Sequence, residues 1–420
     1  MASTDYSHPS RLDSMTMTPT ASLPAASTDP RLSMSELAPR ALQSEIRAMS
    51  MECDRIGGVN LAQGICDTEV PAAVSEGAIA AIHAGHNIYT RLDGIARLRN
   101  AIAAKMLRDR GLVVDPDREV LVTSGATGGL NAAVAALLNP GDEVILFEPF
   151  YGYHASELKS KRVVPVIVSL TAPATPDADW TLDMDAVRAA LTPRTRAMIV
   201  NTPSNPAGKI FTRTELEALA EIAVERGLFV FTDEIYEHFV YGEAEHISPA
   251  TLPGMRERTI VISGFSKTFS VTGWRLGYLV ADAKWLGAIS YFHDLTYVCA
   301  PSAFQHGAAQ GLEQLGPEFY SDLATDHLAK RGRIVAALND AGMKPYVPRG
   351  AYYILADASQ IPGETAAKKA RTLLAKTGVA SVAGSAFFRA GHGEDLLRFC
   401  FAKRDHDLDD ACERLRTLST

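Results

Sequence analysis

The chain has 420 residues, 47% hydrophobic and 21% charged, with a formal net charge of −8. That is the make-up of a globular protein large enough for two domains, and an acidic balance without a Lys/Arg run argues against a nucleic-acid partner. No apolar run reaches the roughly 18 residues that a membrane span needs, and the five scattered cysteines, with no CxxC pair, read as reduced thiols of a cytoplasmic protein without a metal site.

Residues 1–30 are polar, rich in Ser, Thr, Pro and Ala, and lack the apolar stretch of a signal peptide; they read as a disordered tail. Ser35 to Met51 reads as a helix and Val59 to Gly64 as an extended segment ending in a glycine turn. Ile95, Leu98, Ile102 and Met106 recur at helical spacing, which predicts an amphipathic helix over 95–110. From about Glu119 short β-rich runs alternate with helices: Glu119–Thr123, Glu143–Phe147, Val163–Val168, Ala197–Asn201, Leu228–Thr232, Thr259–Ser263 and Gly277–Val280. Several are apolar on consecutive residues, the pattern of strands covered on both faces. Thr212 and Glu215 open one intervening helix as a capping box, and Gly227 closes it. After about Phe292 the chain turns helical, with a long helix near Ser321–Asn339. Strands near Ala351–Ala356, Val379–Val382 and Leu396–Phe401 and a last helix follow. The expected fold class is α/β, a large domain with a mostly parallel central sheet flanked by helices plus a smaller α+β domain from both chain ends. In residues, 31–80 form an arm and part of the small domain, 81–300 the large domain and 301–420 the rest of the small one.

Four segments carry candidate chemistry. In Ser263-Gly-Phe-Ser-Lys267-Thr-Phe-Ser-Val-Thr-Gly-Trp-Arg275 a lysine follows a strand among apolar and small residues, where its amine is pushed toward the neutral, nucleophilic form. Phe231-Thr-Asp233-Glu-Ile-Tyr236 places a carboxylate and a phenol at a strand's carboxyl end, the edge at which open α/β sheets bind ligands. Asn201-Thr-Pro-Ser-Asn205-Pro-Ala-Gly208 is a rigid turn that presents an amide. Thr123-Ser-Gly125-Ala126-Thr127-Gly-Gly, between a strand and an apolar helix, offers bare N–H groups to an anion. Tyr151 can stack on a flat ring, and Arg398 is a charge inside an apolar strand pattern. Singly, each has a plainer reading: a surface lysine, a helix-capping aspartate, a tight turn, a salt bridge within the small domain.

Together and in this order they resemble the class I/II aminotransferases of the aspartate aminotransferase fold, from about Leu61 to the C-terminus. The kynurenine/glutamine aminotransferase group, also called cysteine-S-conjugate β-lyases, is the nearest likeness, carried by Asn201–Phe211 and Thr232–Gly277. The resemblance implies a pyridoxal-phosphate-dependent transferase fold and a homodimer that takes an amino acid and a 2-oxo acid. It makes Lys267 the Schiff-base lysine, pairs Asp233 with the cofactor's pyridine nitrogen, sets Tyr236 and Asn205 on the ring hydroxyl and stacks Tyr151 on the ring. Gly125, Ala126, Thr127, Ser266 and Arg275 then hold the phosphate, Tyr89 reaches the phosphate in the neighbouring subunit, and Arg398 with the Gly64 backbone binds the substrate α-carboxylate. The chain departs from the group at Cys66, Gly128, Gly129, Gly152 and Gly264, which touches substrate choice more than cofactor binding. β-Elimination or oxygen-dependent oxidation on the same fold, and a non-enzymatic effector-sensing domain, are the competing readings. A neutral or aromatic donor is expected, with Arg91 the one cation close in sequence to the pocket segments.

Overall fold

The computed structural model describes residues 45–175 and 178–419 together with Ser35 and Leu37; the expected tail, 1–30, lies outside these. The seven β-rich runs become seven strands of one sheet. After a two-residue strand β1 (Val59–Asn60), they are β2 (Val120–Thr123), β3 (Glu143–Glu148), β4 (Val164–Ser169), β5 (Thr195–Asn201), β6 (Phe229–Asp233), β7 (Thr259–Gly264) and β8 (Gly277–Val280). Their order across the sheet is β2-β8-β7-β6-β5-β3-β4. Every residue of β2, β3, β7 and β8 is buried, as strands sandwiched between helices must be. Leu121, Ile145, Met198, Phe231 and Leu279 lie in the cores on the sheet's faces.

The sheet is parallel except at β8, which runs antiparallel to both β2 and β7. That reversal decides where the site forms. Parallel strands end at a common carboxyl edge, where Asn201 and Asp233 sit side by side in register. Strand β8 begins at this edge, Gly277 facing both Thr123 and Gly264. The excursion from Gly264 to Gly277 therefore leaves and re-enters the sheet on one side, with Lys267 and Arg275 on it.

The later part of the chain supplies β9 (Lys344–Tyr346), β10 (Tyr353–Asp357), β11 (Val379–Ala380), β12 (Val382–Ala383) and β13 (Leu396–Cys400). β12, β13, β10 and β9 form an antiparallel sheet, while β11 pairs in parallel with β1. The single strand expected over 379–382 is thus two short strands in different sheets. The first helix, expected to stop at Met51, runs Glu45–Arg55, and the helices Ala72–His83 and Gly152–Ser160 had no counterpart in the sequence reading. The described residues from Glu45 to Ser419 belong to one compact unit.

Candidate active site

A cavity of about 600 Å³ opens over the carboxyl edge of the large sheet, mid-range for a small-molecule site. Every residue to which the resemblance gives a cofactor or substrate role lines it except Gly125, which lies directly beneath Arg275, and Tyr89, which is 79% exposed.

One end is built for an anion. The helix Gly125–Leu137 starts immediately after β2, and Ser124 at its N-cap makes no side-chain capping bond, so the first-turn N–H groups keep their donor capacity. Arg275 adopts a left-handed backbone (φ 53°) and its guanidinium lies over Gly125. A Cβ at Gly125 would stand 2.6 Å from Arg275 Nη2 and force the guanidinium to shift, and the φ of 73° there is itself one that glycine adopts most readily. Arg275 Nη1 is anchored by a 3.1 Å bond to the Thr272 carbonyl. Ala126, Thr127 and the buried Ser266 complete this end.

At the centre stands Asp233, whose Oδ2 lies 2.9 Å from His154 Nε2. His154 is buried on the helix Gly152–Ser160, its Nδ1 has no hydrogen-bond partner among the described residues, and its ring meets Tyr151 edge-on at 5.4 Å. The sequence reading passed over His154; its one signal was the i+3 spacing from Tyr151. Tyr236 is also buried, with its hydroxyl 2.9 Å from that of Tyr353, a second residue not foreseen. Burial, with Tyr353 beside it, pushes the Tyr236 phenol well above its ordinary value, so it stays protonated and able to donate.

The opposite end belongs to Arg398, 1% exposed on β13. Its Nη1 donates to Asn205 Oδ1 at 2.9 Å and its Nη2 to the Ala62 carbonyl at 2.6 Å, while Nε has no partner among the described residues. The guanidinium lies between the rings of Tyr353 and Phe387, 4.4 and 4.7 Å from their centroids. No carboxylate pairs with it among the described residues, which rules out the plain salt bridge. A buried cation without a carboxylate partner is costly, and an anionic ligand would offset that cost.

Between the two ends, Lys267 Nζ donates to the Gly64 carbonyl at 2.8 Å. Burial lowers its pKa to about 8, and the guanidiniums of Arg398 and Arg275 press the same way. Gly64 is a close approach in its own right: a Cβ there would fall 2.1 Å from the Tyr353 hydroxyl. Two residues on, Cys66 is buried under hydrogen bonds to Thr68 and Ser270. Arg91 leaves the pocket altogether, held in a two-point pair with Asp93. The cation that does line the cavity unforeseen is Arg47, on the first helix.

Residues 56–415 match the family model of aminotransferase class I and II. The chain belongs to this family. It is 39% identical over 381 residues to a probable N-succinyldiaminopimelate aminotransferase, DapC, of Mycobacterium tuberculosis, covering 88% of this chain and 95% of the relative. It is 34% identical to kynurenine–oxoglutarate transaminase 3 of Mus musculus, covering 85% of this chain and 84% of the relative. The solved structure of N-succinyldiaminopimelate aminotransferase from Mycobacterium tuberculosis superposes with a TM-score of 0.88 at 39% identity, over 92% of this chain and 100% of that one. The aminotransferase transfers the amino group of an amino acid to a 2-oxo acid and depends on pyridoxal 5′-phosphate. The cavity fits that cofactor. An anion cradle, a buried amine of lowered basicity and a carboxylate beyond a tyrosine ring are the groups that a phosphorylated pyridine aldehyde demands.

Proposed function

We propose that Lys267 carries the cofactor and that the enzyme takes a neutral or aromatic L-amino acid as donor. Bound there, pyridoxal phosphate supplies an electron sink for the bond broken at the donor's α-carbon. Lys267 Nζ, once released, takes the α-proton as general base, for which a pKa of about 8 suits it. Asp233, braced by His154, holds a proton on the pyridine nitrogen; Tyr236 donates to the ring hydroxyl. Asn205 does the same with its amide nitrogen, since its oxygen is taken by Arg398. Tyr151 covers the ring face, and Gly125, Ala126, Thr127, Ser266 and Arg275 hold the phosphate. Arg398 fixes the donor's α-carboxylate, with the Gly64 backbone beside it.

One observation carries this reading. Lys267 bonds the carbonyl of Gly64 and Arg398 that of Ala62, so the amine and the unpaired buried guanidinium converge on one three-residue stretch. A single small molecule with a carboxylate and an α-amino group spans them. The neutral-donor reading is supported by the lining near Arg398, where Tyr151, Ile65 and Tyr353 bring no second buried cation. The Mus musculus relative is, by name, a kynurenine–oxoglutarate transaminase.

The working unit in this reading is a homodimer, Tyr89 completing the neighbour's phosphate site. Its support is that Tyr89, Ile88, Leu295 and Tyr291 are 79%, 80%, 64% and 58% exposed, an apolar set that a lone protomer leaves in water. Residues 81–300 serve as the large domain, with 31–80 and 301–420 as the small one. The cytoplasm is the compartment, in keeping with unpaired cysteines; no helix among the described residues is long and apolar enough to cross a membrane. The test is borohydride reduction of the cofactor-loaded protein followed by peptide mapping. The pyridoxyl label is expected on Lys267, and a label on any other lysine overturns the assignment.

A further inference from the structure

The anion end of the cavity sets its own structural problem. A helix start is commonly fixed by a side-chain oxygen at the N-cap, which takes up the N–H of the second or third helical residue. In the helix Gly125–Leu137 those N–H groups belong to Ala126 and Thr127, both proposed to hold the cofactor's phosphate, and the Ser124 side chain leaves them alone. The turn from β2 into this helix must therefore be held by bonds that do not consume them.

Two bonds do so from outside the first turn's donors. Thr123 Oγ1 donates to the Gly125 carbonyl at 2.9 Å. The N–H of Ser124 donates to His293 Nε2 at 3.0 Å, across 169 residues. His293 is 0% exposed on the helix Ala283–Tyr297 and does not line the cavity. Because Nε2 accepts, the ring proton sits on Nδ1, which has no hydrogen-bond partner among the described residues. Burial lowers its pKa to about 4 against the pull of Asp294, so at neutral pH the imidazole is uncharged and its Nε2 lone pair is available. Tyr297, one turn on, packs against the imidazole with ring centroids 5.1 Å apart. The same tyrosine lies beside Gly128, where a Cβ would meet its ring at 3.3 Å. Gly128, one of the chain's departures from the kynurenine/glutamine group, thus makes room for the ring that packs on His293.

We infer that His293 is a positioning residue for the cofactor's phosphate: by accepting the Ser124 N–H it fixes the strand-to-helix turn and leaves the N–H groups of Gly125, Ala126 and Thr127 free for the anion. The inference rests on the proposed phosphate assignment and adds to it a residue that acts only through the turn. Its contribution is to hold the donors in place before the ligand arrives.

Pyridoxal lacks the phosphate and so reports on every part of the site but this one. The full-length enzyme, freed of cofactor, is titrated with pyridoxal 5′-phosphate and with pyridoxal, each followed by absorbance. The readout is the factor by which the phosphate strengthens binding. In His293→Phe, which keeps a flat ring but accepts nothing, that factor should fall about ten-fold, as expected for one unsatisfied N–H, with pyridoxal binding unchanged. His293→Gln can set an amide oxygen where Nε2 stood and should keep most of the factor. His293→Asn, one methylene too short, should lose it, and this pair decides the matter if the phenylalanine variant does not fold. A merely structural role would weaken both ligands alike. A factor unchanged in His293→Phe and His293→Asn, or lost equally in His293→Gln and His293→Asn, overturns the inference. Failure of the phosphate assignment looks different: Arg275→Gln would then keep the parent's factor.

Discussion

The five residues Asp233 to Glu237 face two environments. Asp233 and Tyr236 line the cavity, while Glu234 and Glu237 turn into a buried knot of charge behind it. There Lys105 Nζ lies 2.7 Å from Glu237 Oε2, Arg110 pairs with Glu237, and Glu234 takes His246 at 3.0 Å and Ser248 at 2.6 Å. Ser263 and Tyr278 close the remaining side of Glu237. Burial works against ionisation, yet Lys105 and Arg110 hold Glu237 well below the usual carboxylate range. On the cavity side Arg398 Nε and His154 Nδ1 have no hydrogen-bond partner among the described residues, and in the knot Arg110 Nε and His246 Nδ1 have none either; what differs is that the knot pairs its cations with carboxylates and Arg398 has no carboxylate partner among those residues. The back face spends its charges on the fold, and the front face reserves them for ligands. Glu234, Glu237 and His246 bring their ligand-type atoms within 4.8 Å of one another, but the carboxylates' charge is already answered by Lys105 and Arg110.

The contrast is sharpest in two substitutions. Asp233→Asn keeps the side chain's shape and removes the charge proposed to hold the pyridine proton. Turnover should drop by about three powers of ten with thermal stability nearly intact, since the lost interaction belongs to the transition state; near-parental kcat would remove Asp233 from its proposed role. Glu237→Gln should do the reverse. It strands Lys105 and Arg110 without their shared anion, at a cost of about 3 kcal/mol in folding stability, while the absorbance of bound cofactor stays that of the parent. Denaturant unfolding followed beside the cofactor band checks both halves, and a lost band at unchanged stability would erase the distinction between the two faces.

Lys267 gives a smaller and graded effect. Only the unprotonated amine attacks an aldehyde, so cofactor uptake by the apoenzyme should quicken by about ten-fold per pH unit and level off near pH 8. An ordinary lysine would keep gaining to roughly pH 10.4. The sign for stability follows from the same depression. Between pH 8 and the unfolded value the unfolded chain holds a proton that the folded chain lacks, so the apoenzyme should gain stability as pH rises through that window. Stopped-flow absorbance across pH reads the first, and continued acceleration past pH 9 contradicts the burial of the amine.

Much of this was legible because buried strands and strand-end residues leave local marks. Gly277–Val280 was bounded correctly from its apolar run, and the Thr212–Glu215 capping box forms as read. The antiparallel sense of β8 was not legible, since nothing within four residues records direction. His154 and Tyr353 escaped because their meaning lies in partners 79 and 117 residues away, Asp233 and Tyr236. Arg91 misled by proximity in sequence; its pair with Asp93 is a local bond that spacing alone did not favour. Arg47 escaped for the opposite reason, as an arginine on a helix far in sequence from the site segments reads as surface. The split of 379–382 reflects Ser381, at which the chain passes from β11 to β12 and so from one sheet to another.

The stretch from Val59 to Gly64 touches nearly every late part of the molecule. β1 pairs with β11, Ala62 receives Arg398 across 336 residues, and Gly64 receives Lys267 across 203. On the ribosome this early stretch therefore has to wait, unpaired, while the large sheet is still being synthesised. The anion cradle and Lys267 are complete in sequence by residue 277; the proposed seat for the substrate's carboxylate needs Arg398, made more than a hundred residues later. The residues proposed to grip the phosphate are thus all made before the one proposed to recognise the amino acid's carboxylate.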